Sequence, residues 1–223
     1  MCPGQQAKPD MLAIERGHWR AGLGRVAGVD EAGRGPLAGP VVAAAVVISP
    51  DFAEREIIGL LSGLTDSKKL SARQRERYDD ILRDSEFVDV AVGSADHDEI
   101  DELNVLRATH LAMARALSNL SETVDLALVD GLDVGGLPCA SQSIVRGDSL
   151  SLSVAAASII AKEFRDARMR EFDLIYPEYE FSRHKGYGTA VHRKALLAHG
   201  PCVIHRFSFR PVQDAYAQRQ LSL

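Results

Sequence analysis

The chain reads as a single mixed α/β domain, and three observations lead there. Short apolar or alternating runs come first and then interleave with helix-patterned stretches, which is the order of a mixed sheet with helices on its faces. No internal repeat or low-complexity block interrupts the 223 residues. At 46% hydrophobic, the chain can bury one full core. Element by element, Met11–Arg16 is a short helical candidate in a Pro- and Gly-punctuated beginning. Arg25–Asp30 predicts the first strand and Pro40–Ile48 the second. Only a Gly/Pro-rich turn separates them, so they are expected to pair antiparallel. Ser71–Asp84 starts Ser-x-x-Gln and predicts a capped helix. Phe87–Gly93 alternates as a half-buried strand does. Asp96–Ser118 opens Asp-x-x-Glu and keeps one apolar stripe, predicting one helix. Val124–Asp130 and Ser143–Val145 predict two further strands. Ser151–Phe172 predicts a long helix that stops near Pro177, and Thr189–His199 a last helix with Gly200 at its end. Residues 1–22 are expected to be an N-terminal extension, 23–214 the catalytic domain with a helical C-terminal segment, and 215–223 a flexible tail.

Composition narrows the function. No apolar run approaches the roughly 18 residues that cross a bilayer, and no basic-then-apolar signal opens the chain. Cys2, Cys139 and Cys202 are widely spaced and unpaired by motif, which fits a reducing, cytoplasmic setting. The net charge is −5, yet Phe181–Gln213 contains no Asp or Glu. That window holds Arg183, Lys185, Arg193, Lys194, Arg206 and Arg210, so a local basic field for a polyanion is expected. His184, His192, His199 and His205 have no zinc spacing and are expected to pack or to contact phosphate.

The most informative stretch is Gly28-Val-Asp-Glu-Ala-Gly-Arg-Gly-Pro-Leu-Ala-Gly-Pro. Asp30 and Glu31 end an apolar run, and adjacent carboxylates repel unless a cation or proton relieves them. On the dipeptide alone, a solvated strand-to-turn junction is the commoner reading. Gly33, Arg34 and Gly35 follow, combining bare backbone with one guanidinium near the acids. Asp130 ends another strand next to Gly131, and strand ends converge on one rim of an α/β sheet. Asp148 precedes the Ala-rich helix, where it could cap, ligate or do both. The four acids make a plausible all-oxygen cluster for Mg²⁺ or Mn²⁺. Two such ions can activate water and stabilise the leaving oxygen in phosphodiester cleavage.

These blocks resemble the signature of the ribonuclease HII family. The similarity continues through Thr65-Asp-Ser-Lys-Lys-Leu, Ile100-Asp-Glu-Leu-Asn, Val129-Asp-Gly, Gly147-Asp-Ser and Ser153-Val-Ala-Ala-Ala-Ser-Ile-Ile-Ala-Lys. It ends with His184-Lys-Gly-Tyr-Gly-Thr and His205-Arg-Phe-Ser-Phe-Arg-Pro-Val, and so spans about residues 25–212 in the family's order. The resemblance implies an RNase H-like five-stranded mixed sheet with flanking helices. It implies metal-dependent cutting of RNA in RNA/DNA hybrids, and nicking 5′ to one ribonucleotide in duplex DNA. Asp30, Glu31, Asp130 and Asp148 are implied as the catalytic metal ligands of a two-metal Mn²⁺ or Mg²⁺ site. Gly33, Arg34 and Gly35 are implied to read the ribose 2′-hydroxyl, and Tyr187 to pack on the neighbouring deoxyribose. Lys68 and Asn104 are read as duplex-backbone contacts, although a lone Lys there also fits a solvated turn. Lys162, Arg165 and Asp166 read as a supporting helix-surface network, and Glu163 stands where the family often has an apolar residue. The C-terminal Gln220-Leu221-Ser222-Leu223 is similar to the Gln-Leu-Ser/Asp-Leu-Phe peptide that docks replication proteins on the sliding clamp, without its final Phe. A monomer with no membrane partner is expected. A non-catalytic hybrid binder would not need all four acids. A sugar kinase would show Gly-rich nucleotide loops, and ribonuclease HIII an N-terminal substrate-binding domain ahead of the first core strand.

Overall fold

The structure, a computed structural model, describes residues 9–220. Helix α1 (Ala13–Arg20) precedes β1 (Val26–Ala32) and β2 (Val41–Ile48). Helices α2 (Pro50–Glu56) and α3 (Ala72–Asp84) lead to β3 (Val88–Ala95), and α4 (His97–Leu103) and α5 (Val105–Ser118) to β4 (Leu126–Asp130) and β5 (Ser141–Ile144). The chain ends in α6 (Leu152–Ile175), α7 (Phe181–His184), α8 (Ala190–His199) and α9 (Arg210–Gln220). The five strands form one sheet in the order β3-β2-β1-β4-β5. β1 pairs antiparallel with β2 and parallel with β4. β2–β3 is antiparallel and β4–β5 parallel, so the sheet is the expected mixed one.

β2 shows why the sheet is central. Its sequence Val-Val-Ala-Ala-Ala-Val-Val-Ile is buried throughout. Ala44, Val46 and Ile48 pack toward α3 and α6, whereas Ala43, Ala45 and Val47 pack toward α5. Alternation of side chains sends the two sets into separate cores. Gly28 sets the approach of α6 to β1: a Cβ there would lie 2.0 Å from the Ser153 carbonyl carbon. A third core joins Leu37 and Met169 to Tyr179, Phe181, Leu196 and Val212, and it docks the C-terminal helices beside the β1–β2 loop.

The expected caps form: Ser71 and Gln74 cap α3 reciprocally, and Asp96 and Glu99 do the same for α4. The single helix expected over Asp96–Ser118 is instead two. Asn104 adopts φ 71° between them, and its side chain accepts from Leu106 N and Arg107 N to start α5. With ψ 159° this is a strained conformation for a residue that has a Cβ, and the two capping bonds of the Asn104 side chain help to hold the break. Residues 13–20, set apart as an extension by the sequence, form α1 on the domain. Leu12 is fully buried, and Glu15 Oε1 accepts from Ser151 Oγ at 2.6 Å and Ser153 Oγ at 2.8 Å. Residues 215–220, expected in a tail, continue α9 because Val212 and Ala215 bury its inner face. Leu221–Leu223, and with them most of the clamp-like motif, lie outside the described residues. Among the described residues no helix is long and apolar enough to cross a membrane.

Candidate active site

Adjacent parallel strands β1 and β4 bring two acids together. Val29 pairs with Val129, so Asp30 and Asp130 leave neighbouring strand ends side by side. Asp148 comes from the single turn Gly147–Ser149 after β5, just ahead of α6. One carboxylate oxygen from each of Asp30, Asp130 and Asp148 lies within 4.8 Å of the others. Gly147 N donates to Asp130 Oδ1 at 2.6 Å, tying the turn that carries Asp148 to β4. Burial pushes the Asp30 carboxyl well above its ordinary pKa, and the charges of Glu31, Asp130 and Asp148 add to the effect. Burial likewise raises Asp148, helped by Asp66 and Asp130. An all-oxygen trio that repels itself in a partly dry site suits a hard divalent cation.

The structure gathers three of the four predicted ligands into that trio. Glu31, the next residue on the strand, leaves the backbone on the opposite side. Its Oε1 lies 3.3 Å from Arg34 Nη1, while burial still raises its pKa. Lys68 approaches from the turn Ser67–Lys69. Burial works against its ammonium, but Asp30, Asp66, Asp148 and Asp130 outweigh it and raise its pKa. Asp66, which no motif argument singled out, caps that turn by accepting from Lys68 N at 2.9 Å.

A cleft of about 340 Å³ opens over Asp30, lined also by Glu31, Arg34, Lys68, Lys162 and Tyr187. Its rim is the Gly33–Gly35 turn. Gly33 has φ 99°, and a Cβ there would meet Arg165 Nε at 2.0 Å, so the position demands glycine. Gly35 faces Tyr187, whose Cε1 would lie 3.7 Å from a Cβ at that residue. Tyr187 is 46% exposed and lines the cleft. Asn104 does not join this group and serves as the α5 cap.

Two buried arginines hold this region, and sequence reasoning missed their placement. Arg165 donates to Pro40 O, Lys185 O and Ala38 O, and burial lowers its pKa to about 10. Arg206, counted by sequence in the basic field, is instead fully buried under the β1–β2 loop. Arg183, Arg193, Lys194 and Arg210 are exposed, but Arg183 pairs with Glu180 at 3.3 Å and Arg210 with Asp214 at 2.6 Å, acids that flank the acid-free window. On α6, Lys162 pairs with Asp166 at 2.7 Å, as the expected network requires, and Glu163 pairs with Arg75 at 2.6 Å. His184, His192 and His205 are buried among Tyr179 and Phe181, which makes them packing groups, whereas His199 is exposed.

Comparison with known proteins places this geometry. The family model described as Ribonuclease HII matches residues 27–212. The ribonuclease HII of Rhodospirillum rubrum is 55% identical over 213 residues, 96% of this chain and 94% of that protein. That of Syntrophotalea carbinolica is 49% identical over 95% of this chain and 97% of its own length. Among solved structures, ribonuclease H2 from Pyrococcus horikoshii superposes with a TM-score of 0.74 at 28% identity, covering 88% of this chain and 99% of that one. The Bst-RNase HIII structure in complex with Mn²⁺ shares the fold, with a TM-score of 0.67 at 20% identity over 88% of this chain and 70% of its own.

Proposed function

The chain belongs to the ribonuclease HII family and is a ribonuclease H endonuclease, and from that premise we propose that it nicks duplex DNA 5′ to a single embedded ribonucleotide as well as cutting RNA in RNA/DNA hybrids. The products are 3′-hydroxyl and 5′-phosphate ends, and the work is ribonucleotide removal and RNA-primer processing in the cytoplasm. The observation that carries this reading is a shared cleft. Asp30, whose carboxylate clusters with those of Asp130 and Asp148, lines the same small opening as the Gly33–Gly35 turn and Tyr187.

Asp30, Asp130 and Asp148, with Glu31 alongside, would hold Mg²⁺ or Mn²⁺. Bound there, the metal would supply the positive charge that lowers the pKa of a water and stabilises the leaving oxygen. The chain's own residues do the rest. The bare backbone of Gly33 and Gly35 can approach a 2′-hydroxyl, the group that separates RNA from DNA. Arg34, half-exposed beside them, can hold a neighbouring phosphate bidentately. Tyr187 presents an exposed ring for an adjacent sugar, and Lys68 offers an ammonium for the duplex backbone.

The test is cleavage of matched duplexes carrying zero, one or four ribonucleotides, assayed in Mg²⁺ and in Mn²⁺. Cutting at one and at four, but not at zero, is expected with either ion. Cutting of the all-deoxy duplex, or of the four-ribonucleotide duplex alone, would remove the single-ribonucleotide specificity.

A further inference from the structure

One buried side chain holds both ends of the loop from β1 to β2. Arg206 Nη2 donates to Gly33 O at 2.6 Å and to Gly39 O at 2.8 Å. Nη1 donates to Arg34 O at 2.9 Å, and Nε to Gly39 O at 3.0 Å. The planar fork thus spends its donors on three carbonyls of a single loop. Arg206 itself is fully buried and does not line the cleft.

Those bonds have a geometric consequence for the cleft. A trans peptide points its N–H opposite to its C=O, and no peptide among the described residues is cis. The Gly33–Arg34 and Arg34–Gly35 peptides turn their oxygens inward to Arg206. Their N–H groups, on Arg34 and Gly35, therefore point outward from the buried guanidinium. Neither has a hydrogen-bond partner among the described residues. Two unpaired amides held in a fixed direction beside an open cleft are a prepared pair of donors. Burial, with Arg165 nearby, lowers the Arg206 pKa to about 9, so the group stays cationic at neutral pH despite the cost of its position.

We propose that Arg206 is a positioning residue for ribonucleotide selection, orienting the Gly33–Arg34 and Arg34–Gly35 peptides so that the Arg34 and Gly35 amides face the 2′-hydroxyl. The inference rests on the single-ribonucleotide reading above and assigns the residue that makes that reading selective. Without the guanidinium, three carbonyls lose their partner and the two peptide planes are free to rotate. Contacts to the rest of the duplex do not pass through Arg206 and persist.

Binding separates this from a general structural role. Kd is measured for a DNA duplex with one ribonucleotide and for the same duplex fully deoxy, with Ca²⁺ replacing Mg²⁺ to prevent turnover. Wild type, Arg206→Met and Arg206→Lys are compared, with unfolding of each followed by circular dichroism. Wild type should prefer the ribonucleotide duplex by roughly tenfold or more, the scale of a lost polar recognition pair. In Arg206→Met the preference should fall to within about twofold of none, with the all-deoxy Kd nearly unchanged. Arg206→Lys should fall between the two, and it is decisive if Arg206→Met does not fold. A wild-type preference retained in the folded variants overturns the proposal, as does a parallel weakening of both duplexes. Unfolding of both variants would assign Arg206 to the fold as a whole and also overturn it. Absence of any preference in wild type would instead remove the substrate reading, before a variant is tested.

Discussion

At Asp30 a carboxyl group is buried beside three other acids, and its pKa is raised by that burial and by Glu31, Asp130 and Asp148. A group whose folded pKa exceeds its unfolded value stabilises the fold below the unfolded pKa, about 3.9 for Asp, and loses that contribution as pH rises through the folded one. At neutral pH, without a cation, the ionised cluster therefore works against folding. Asp30→Asn removes one charge while an amide oxygen can keep the bond that Asp30 Oδ1 accepts from Glu31 N. It should raise the thermal midpoint of the metal-free protein at pH 7. It should also lower metal-dependent cleavage by about 10²-fold or more, the scale of one preorganised group at a reacting centre, with duplex binding largely kept. Near-wild-type cleavage would remove Asp30 as a ligand, and a lowered midpoint in EDTA would remove the electrostatic argument. The identity of these acids was legible because each ends a strand or precedes a helix inside a specific motif. The burial of Arg206 was not, since a charged residue reads as surface until the element that covers it is known.

Helix α6 lies on β1 at Gly28, and the contact joins two of the clustered acids: β1 carries Asp30, and the turn before α6 carries Asp148. Glu15 of α1 fastens the same helix end through Ser151 and Ser153. Gly28→Ala places a methyl group 2.0 Å from backbone, which no side-chain rotation relieves. The helix must move, at a cost of about 1–3 kcal/mol for an overpacked core site. The urea midpoint should fall accordingly, and Mn²⁺ affinity by calorimetry should weaken with it as the two carboxylates separate. Wild-type values for both would show that α6 does not set the distance between them. Elements with a sustained period were readable from sequence, including the capped start of α3 and the doubly buried β2. Helix α2 was not, because seven residues with only Phe52 and Ala53 buried carry too little pattern. The break at Asn104 escaped for a different reason: the apolar stripe continues through it, and only the backbone turns.

At the scale of the whole molecule, Asp30, Asp130 and Asp148 meet because β1 sits between β2 and β4 in the sheet, an order that no spacing along the chain reveals. Convergence of strand ends on one rim already made a cluster of the four acids readable, and the motif resemblance gave them a metal-binding role, but the strand order itself came only with the fold. The C-terminal helices then close one side of the cleft through a polar chain that only the fold assembles. Cys202 N donates to His205 Nδ1 at 3.0 Å, the His205 and His192 Nε2 atoms are 2.9 Å apart, and His192 Nδ1 is 3.1 Å from Tyr187 O. One neutral arrangement satisfies every link: His205 Nε2–H donates to His192 Nε2, and His192 Nδ1–H donates to Tyr187 O. A proton added to either ring sets two N–H groups against each other. Burial accordingly lowers the His192 pKa to about 4 and the His205 pKa to about 3, whereas both titrate near 6.5 when unfolded. Between those values the unfolded chain binds more protons, so stability rises with pH and is lost as pH falls from about 6.5 toward 4. From pH 7 to pH 5 the loss should be on the order of 2–4 kcal/mol for the coupled pair, read from urea midpoints with the carboxylate cluster saturated by Mg²⁺. His192→Gln, which removes one titrating ring, should lower stability at pH 7 and flatten the slope below it. A slope unchanged by that substitution would place the acid sensitivity elsewhere in the molecule, and Tyr187 would not be held through the histidines.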